Sequence, residues 1–140
     1  MTENFLPARI HVREQPEEWK RCGERYGVQW TPTVLIVDAT GAERHRIEGF
    51  LPAEDFLPQL ALGLAKSAFA REQYQEAERR YREIVERFPR SDVAPEALYW
   101  AGVARYKATH DAGALGQTAE AFTRQFQDSA WAKRASVWRK

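Results

Sequence analysis

The sequence predicts an α/β segment followed by an all-α segment: a short sheet with an intervening helix over residues 1–62, then a five-helix array whose repeat portion covers residues 63–140. Three observations carry this reading. Small or apolar side chains alternate with polar ones near the N-terminus, an apolar run occupies Thr33 to Val37, and from Pro52 onward apolar residues recur at spacings of three and four.

In the first segment Leu6, Ala8, Ile10 and Val12 alternate with Pro7, Arg9, His11 and Arg13, the period of a half-buried strand. Pro7 cannot donate to a ladder, so it belongs near the strand start or on a free side. Pro16 opens a helix with Glu17 and Glu18 in its first turn, where carboxylates suit the positive end of the helix dipole. Its apolar face is Trp19, Cys22 and Tyr26, and Gly27 ends it. Thr33 to Asp38 is apolar on both alternating faces, which calls for a central strand covered on both sides. Thr40-Gly41 turns the chain into an edge strand over Glu43 to Glu48, completing a hairpin. Three strands and one helix leave so apolar a strand short of cover, which implies further cover from the N-terminal side.

Pro52, Glu54 and Asp55 open a helix shared by the two segments, running over residues 52–71, with Pro58 inside it as an expected kink. The second helix carries Ala77, Tyr81, Ile84, Val85 and Phe88 and stops at Pro89. Ser91 or Asp92 is expected to cap a third through Ala97, Leu98, Ala101, Gly102 and Ala104. Leu115, Ala119, Phe122 and Phe126 mark a fourth, and Asp128 or Ser129 caps a fifth ending at Trp138. An offset of 38 residues pairs Ile84 with Phe122, Phe88 with Phe126, Ser91 with Ser129, Ala97 with Ala135 and Trp100 with Trp138. The helices therefore repeat.

Composition narrows the functional classes. The 140 residues are 44% hydrophobic and 29% charged, as in a folded globular chain, with a net charge of +1. Residues 1–60 hold 7 Lys/Arg against 10 Asp/Glu and residues 61–140 hold 14 against 10, a mild asymmetry. The charges along Glu76, Glu78, Arg79, Arg80, Arg82, Glu83, Glu86 and Arg87 alternate in sign, the pattern of a solvated helix face rather than a nucleic-acid surface. No apolar run reaches the ~20 residues of a membrane span and no signal peptide opens the chain, so a cytoplasmic location without membrane attachment is expected. One cysteine and three scattered histidines leave no metal site and no cofactor to expect. No phosphate loop, nucleophile elbow or zinc-protease motif is present.

The segment Tyr26-Gly-Val-Gln-Trp-Thr-Pro-Thr33, the strand after it, Gly41, and Gly49-Phe-Leu-Pro-Ala-Glu-Asp-Phe56 resemble the second half of a thioredoxin, over residues 4 to about 64. The resemblance implies a cis peptide at Pro32 and a peptide-binding loop of Trp30, Thr31 and Pro32, in which the Thr31 backbone pairs with an extended substrate. It also implies that the family's first strands and its Cys-x-x-Cys helix would lie upstream of Met1. Cys22, on the apolar face with Trp19 and Tyr26, packs as a small hydrophobe and does not replace that motif. Phe88-Pro-Arg-Ser91 and Ala97-Leu-Tyr-Trp-Ala-Gly102 resemble tetratricopeptide repeats of the kind found in bacterial cell-envelope coordination proteins, over about residues 58–140. The alternative is an ordinary helical bundle.

Two functions compete on this basis. One is a protein-binding, chaperone-like module, redox-inactive as given, with a thioredoxin-like base and a repeat groove. The resemblance places Lys66, Phe69, Tyr99, Val103, Tyr106, Lys107 and Arg134 in that groove, a mixture of aromatic and cationic side chains suited to a protein or peptide partner with acidic and apolar groups. Phe69, Tyr99 and Tyr106 could equally pack between helices. The other function is the C-terminal part of a thiol-disulfide oxidoreductase, with no catalytic residue in this chain. The assembly expected is a monomer, or a homodimer through the exposed sheet edge.

Overall fold

A computed structural model describes residues 4–139. The chain divides into two compact units, Met1–Phe50 and Leu51–Lys140. The described residues form one two-stranded antiparallel sheet, six α-helices and a terminal 3-10 turn, so the content is mixed but mostly helical.

In the first unit, helix α1 (Pro16–Tyr26) begins with Pro16 and carries Glu17 and Glu18 in its first turn. Gly27 closes it in the left-handed region at φ 64°, where a side chain would be strained, and its N–H donates to Gly23 O. Trp19, Cys22 and Tyr26 form the half-buried face while Glu17, Lys20, Arg21, Glu24 and Arg25 are exposed, as the spacing requires. Strands β1 (Thr33–Val37) and β2 (Glu43–Glu48) pair antiparallel, with an irregularity between Ile36 and Val37.

The turn between the strands is organised by Asp38. Its Oδ1 accepts from the Thr40 N–H (2.9 Å), the Ala42 N–H (3.1 Å) and the Thr40 hydroxyl (2.5 Å), and its Oδ2 accepts from Arg44 Nε (2.7 Å). The Thr40 hydroxyl and the Arg44 guanidinium hold this carboxyl well below the usual carboxylate range. The Tyr26 hydroxyl donates to Gly41 O at 2.9 Å, and the Arg46 guanidinium donates to the carbonyls of Tyr26 and Gly27, so the end of α1 is fastened to the hairpin.

Two expectations fail here. Residues 5–11 run without helix, turn, bend or ladder, so the alternating segment Leu6 to Val12 is not a strand; Leu6 is 98% exposed. Alternation selects a strand only when a neighbour accepts its backbone hydrogen bonds, and no backbone hydrogen bond joins this segment to β1 among the described residues. β1 is also less covered than its composition demands: Ile36 is buried, Thr33, Val34 and Leu35 are half-buried, and Val37 is exposed. A hairpin with one helix has too little surface to cover both faces of such a strand.

The second unit is helical: α2 (Ala53–Ala70), α3 (Tyr74–Arg87), α4 (Ala94–Thr109), α5 (Gly113–Arg124) and α6 (Ala130–Ala135), then the 3-10 turn Ser136–Trp138. α2 continues across Pro58, which is itself buried. Each helix packs against the next in sequence, most extensively α3 with α4. One apolar cluster joins Leu62, Ala65 and Ala68 of α2 to Tyr81 and Ile84 of α3 and to Ala97, Ala101 and Ala104 of α4. A second joins Leu98 of α4 to Phe122 of α5 and to Ala132 and Ala135 of α6.

Small residues let α4 and α5 approach closely. A Cβ on Gly102 would lie 2.0 Å from Thr118 Oγ1 and 2.8 Å from its Cβ. Thr118 is buried and satisfies its hydroxyl within its own helix, donating to Ala114 O at 2.8 Å. The charged face of α3 is solvated and self-paired: Glu76 with Arg79 and Arg80, Glu78 with Arg82, and Glu83 with Arg79 and Arg87. Exposed pairs at this spacing contribute only ~0.3–0.5 kcal/mol each, so they keep the face soluble more than they hold the fold.

Capping differs between α4 and α6. Ser129 caps α6 as expected, its Oγ accepting from the Ala132 N–H at 3.0 Å. Neither Ser91 nor Asp92 caps α4. The residue before that helix is Val93, already in helical backbone conformation, because the chain makes an extra turn with the Ala94 N–H on Ser91 O. Ser91 Oγ is left buried without a partner among the described residues.

Candidate functional site

Two groups of residues merit attention, one in each unit. In the first unit the Thr31-Pro32 peptide is cis, and Trp30, Thr31 and Pro32 are all exposed, Trp30 at 67%. The Thr33 hydroxyl donates to Trp30 O at 2.6 Å and the Gly49 N–H donates to Pro32 O at 2.8 Å. The loop is therefore held from both sides while its outer surface stays open. Cys22 is a free, half-buried thiol on α1. No group of three or more His, Cys, Asp or Glu side chains is arranged to hold a metal among the described residues.

In the second unit a cleft of about 280 Å³ opens between α2, α3, α4 and α6, lined by Lys66, Phe69, Tyr81, Glu96, Trp100 and Trp131 along with Ala70. Phe69 meets Trp100 edge-on at 5.3 Å, and Trp100 meets Trp131 at 6.5 Å. Tyr81, 2% exposed, is the deepest of the lining side chains; burial first, and then the Glu96 carboxylate, raise its phenol above the ordinary range. Lys66 Nζ lies 3.4 Å from Glu96 Oε1. Arg134 rests its guanidinium 4.4 Å over the Trp131 ring, in cation–π range. The cleft is an apolar aromatic slot with one ion pair and one cationic edge.

Of the seven residues expected in a groove, the structure brings three to this cleft: Lys66 and Phe69 as lining and Arg134 through Trp131. Tyr99 is packed instead, stacked on Trp138 at 4.7 Å and against Trp131 at 5.1 Å. Val103 is half-buried further along α4 and does not reach the cleft. Tyr106, 36% exposed, and Lys107 lie nearer the end of α4, with Lys107 Nζ 5.7 Å over the Tyr74 ring. Lys107 lines a separate shallow depression with Tyr74 and Glu76. Sequence reasoning missed Tyr81, Glu96, Trp100 and Trp131. Glu96, Trp100 and Val103 do lie at helical spacing before Lys107, but Trp100 entered the sequence reading only through its match to Trp138 in the 38-residue offset.

Residues 1–63 match the family model of a thioredoxin-like domain. That match relates the first part of the chain to the thioredoxin family and covers the cis-proline loop, the hairpin and the first half of α2. No curated protein and no solved structure matches the chain. No described helix is long and apolar enough to cross a membrane.

Proposed function

We propose that the chain is a protein-binding, chaperone-like module, redox-inactive as given, in which tetratricopeptide-like helices hold a partner segment and the thioredoxin-like segment serves as a base. The observation that carries this reading is the aromatic cleft of Phe69, Trp100 and Trp131 with Lys66 and Arg134 at its edges. At about 280 Å³ it lies below the ~300–1,000 Å³ of sites that enclose whole small molecules, so it suits one bulky side chain of a peptide. Rings that already contact one another offer a further ring an edge-to-face partner, and the exposed guanidinium of Arg134 attracts a neighbouring carboxylate. The 38-residue offset and the stepwise packing of α3, α4, α5 and α6 support a repeat array over a closed bundle.

The test is the affinity of a fluorescent acidic peptide containing Phe and Trp for the wild-type, Arg134→Glu and Tyr106→Ala chains. Arg134→Glu is expected to weaken binding by about 1–3 kcal/mol, as an anchor residue does, while Tyr106→Ala, which lies outside the cleft, leaves affinity unchanged, with melting temperatures nearly unchanged in both because both side chains are exposed. Unchanged affinity in Arg134→Glu removes the groove.

The second reading, part of a thiol-disulfide oxidoreductase, is favoured by the match over residues 1–63. Exchange needs a thiolate attacking a disulfide, and the single thiol here, Cys22, has neither a second cysteine nor a histidine or lysine arranged to activate it. The 140-residue chain is therefore expected to leave insulin unreduced with dithiothreitol as donor. Turnover that Cys22→Ser abolishes would overturn redox inactivity.

A further inference from the structure

The aromatic cleft of the helical unit contains a hydroxyl without a partner. Tyr81 is 2% exposed, and its hydroxyl makes no hydrogen bond among the described residues; the Glu96 carboxylate acts on it through space rather than by a bond. Ser91 Oγ is the fully enclosed side-chain polar atom without a partner among those residues, so the Tyr81 oxygen is not enclosed, and the little surface that Tyr81 keeps includes its hydroxyl. Because Tyr81 lines the cleft of Phe69, Trp100 and Trp131, that hydroxyl opens into it. Burial and the Glu96 carboxylate both raise this phenol, so it keeps its proton and has one to donate. Glu96, in the first turn of α4, supplies an acceptor on the same cleft. Lys66 Nζ lies 3.4 Å from its Oε1, one contact against the about four acceptor sites of a carboxylate, so Glu96 has room for a second donor.

We propose that the cleft selects tyrosine: a Tyr side chain of a partner segment, flanked by a carboxylate, enters the slot, accepts from the Tyr81 hydroxyl and donates to Glu96. This inference rests on the reading of the cleft as a peptide site and names the side chain it takes. A phenol carries a donor and two acceptor lone pairs on one oxygen, so it answers both groups at once. Phe brings neither and leaves both unmatched in an apolar slot, while an indole N–H only donates and leaves the Tyr81 proton without an acceptor. Charge selects against Lys or Arg as the occupant, since Lys66 and Arg134 already place two cations at the cleft against the carboxylate of Glu96. Arg134 is exposed, rests on Trp131 and makes no ion pair among the described residues, which suits a carboxylate of the partner next to its tyrosine.

The experiment is calorimetric titration of the full chain with acetyl-Gly-Asp-Tyr-Asp-Gly-amide and with the same peptide carrying Phe in place of Tyr. The Tyr peptide is expected to bind at least ~10-fold more tightly, the effect of matching polar groups that Phe leaves unpaired. Tyr81→Phe removes only an oxygen that bonds to nothing among the described residues, so the variant is expected to fold. In it the preference for Tyr should shrink by at least ~3-fold, because groups in contact couple. Arg134→Glu should weaken both peptides alike and leave the preference in place. Equal binding of the two peptides by the wild-type chain, with Arg134→Glu weakening both, would overturn the selection of tyrosine and leave the peptide site standing; absence of binding by either peptide would overturn both. A preference that survives undiminished in Tyr81→Phe would put the phenol away from Tyr81 and overturn the proposal as well. If that variant unfolds, the comparison of the two peptides on the wild-type chain decides alone.

Discussion

Phe122→Ala should destabilise the helical unit by about 3–5 kcal/mol, the range for removing a fully buried Phe side chain. Phe122 is 1% exposed and is the central side chain of the cluster formed by Leu98, Ala132 and Ala135, with Val85, Ala121, Phe126, Trp131 and Trp138 packed against it. The buried neighbours on α6, Ala132 and Ala135, have no long side chains to swing into the space, so any relaxation falls to the half-buried Val85, Phe126, Trp131 and Trp138. Urea denaturation followed by helical circular dichroism checks this, because α5 and α6 belong to the transition that reports. A loss under ~1 kcal/mol would mean that α5 does not seat Phe122 between α4 and α6.

Gly102→Ala is the second large effect, and its sign runs against helix propensity. At an unconstrained helical position this change is worth ~1 kcal/mol of stability. At Gly102 the new methyl would meet Thr118 Oγ1 at 2.0 Å and its Cβ and Cγ2 at 2.8 Å, so α4 and α5 must separate or Thr118 must leave its rotamer. Overpacking of this kind costs ~1–3 kcal/mol, and it outweighs the propensity gain because Thr118 is buried and bonded to Ala114 O. Thermal unfolding should show a net decrease. In the Thr118→Ala background the cost should shrink, since the hydroxyl and methyl are gone although the Cβ remains; contacting pairs couple by ~0.5–3 kcal/mol. An increase in melting temperature for Gly102→Ala alone would show that the two helices do not touch there.

Much of this fold was legible because its signals are local. α1 begins at Pro16 and ends at Gly27 because proline suits a first turn and glycine suits a left-handed cap, and both can be read from residue type. The apolar spacing of Ala77, Tyr81, Ile84 and Phe88 located α3 without reference to anything it packs against. The hairpin between Thr33 and Glu48 followed from two strand-like runs around Thr40-Gly41, although Asp38 organises its turn. Of the candidate site, the exposed loop of Trp30, Thr31 and Pro32 and the positions of Lys66 and Phe69 were within reach of sequence.

The rest depended on which surfaces meet. Alternation at Leu6 to Val12 states that a segment can be a strand, but a ladder needs a second backbone, and none is paired with it among the described residues. Tyr99 and Trp100 are adjacent in sequence and nearly alike in chemistry. The rotation of α4 against α6 turns Tyr99 onto Trp138 and leaves Trp100 facing the cleft. Residue type and period determined that α4 is a helix and that its aromatic residues seek burial; the packing of neighbouring helices decided which half-buried ring stacks on Trp138 and which lines the cleft, because about 100° of rotation separates neighbours on a helix and only contact with another helix fixes its zero.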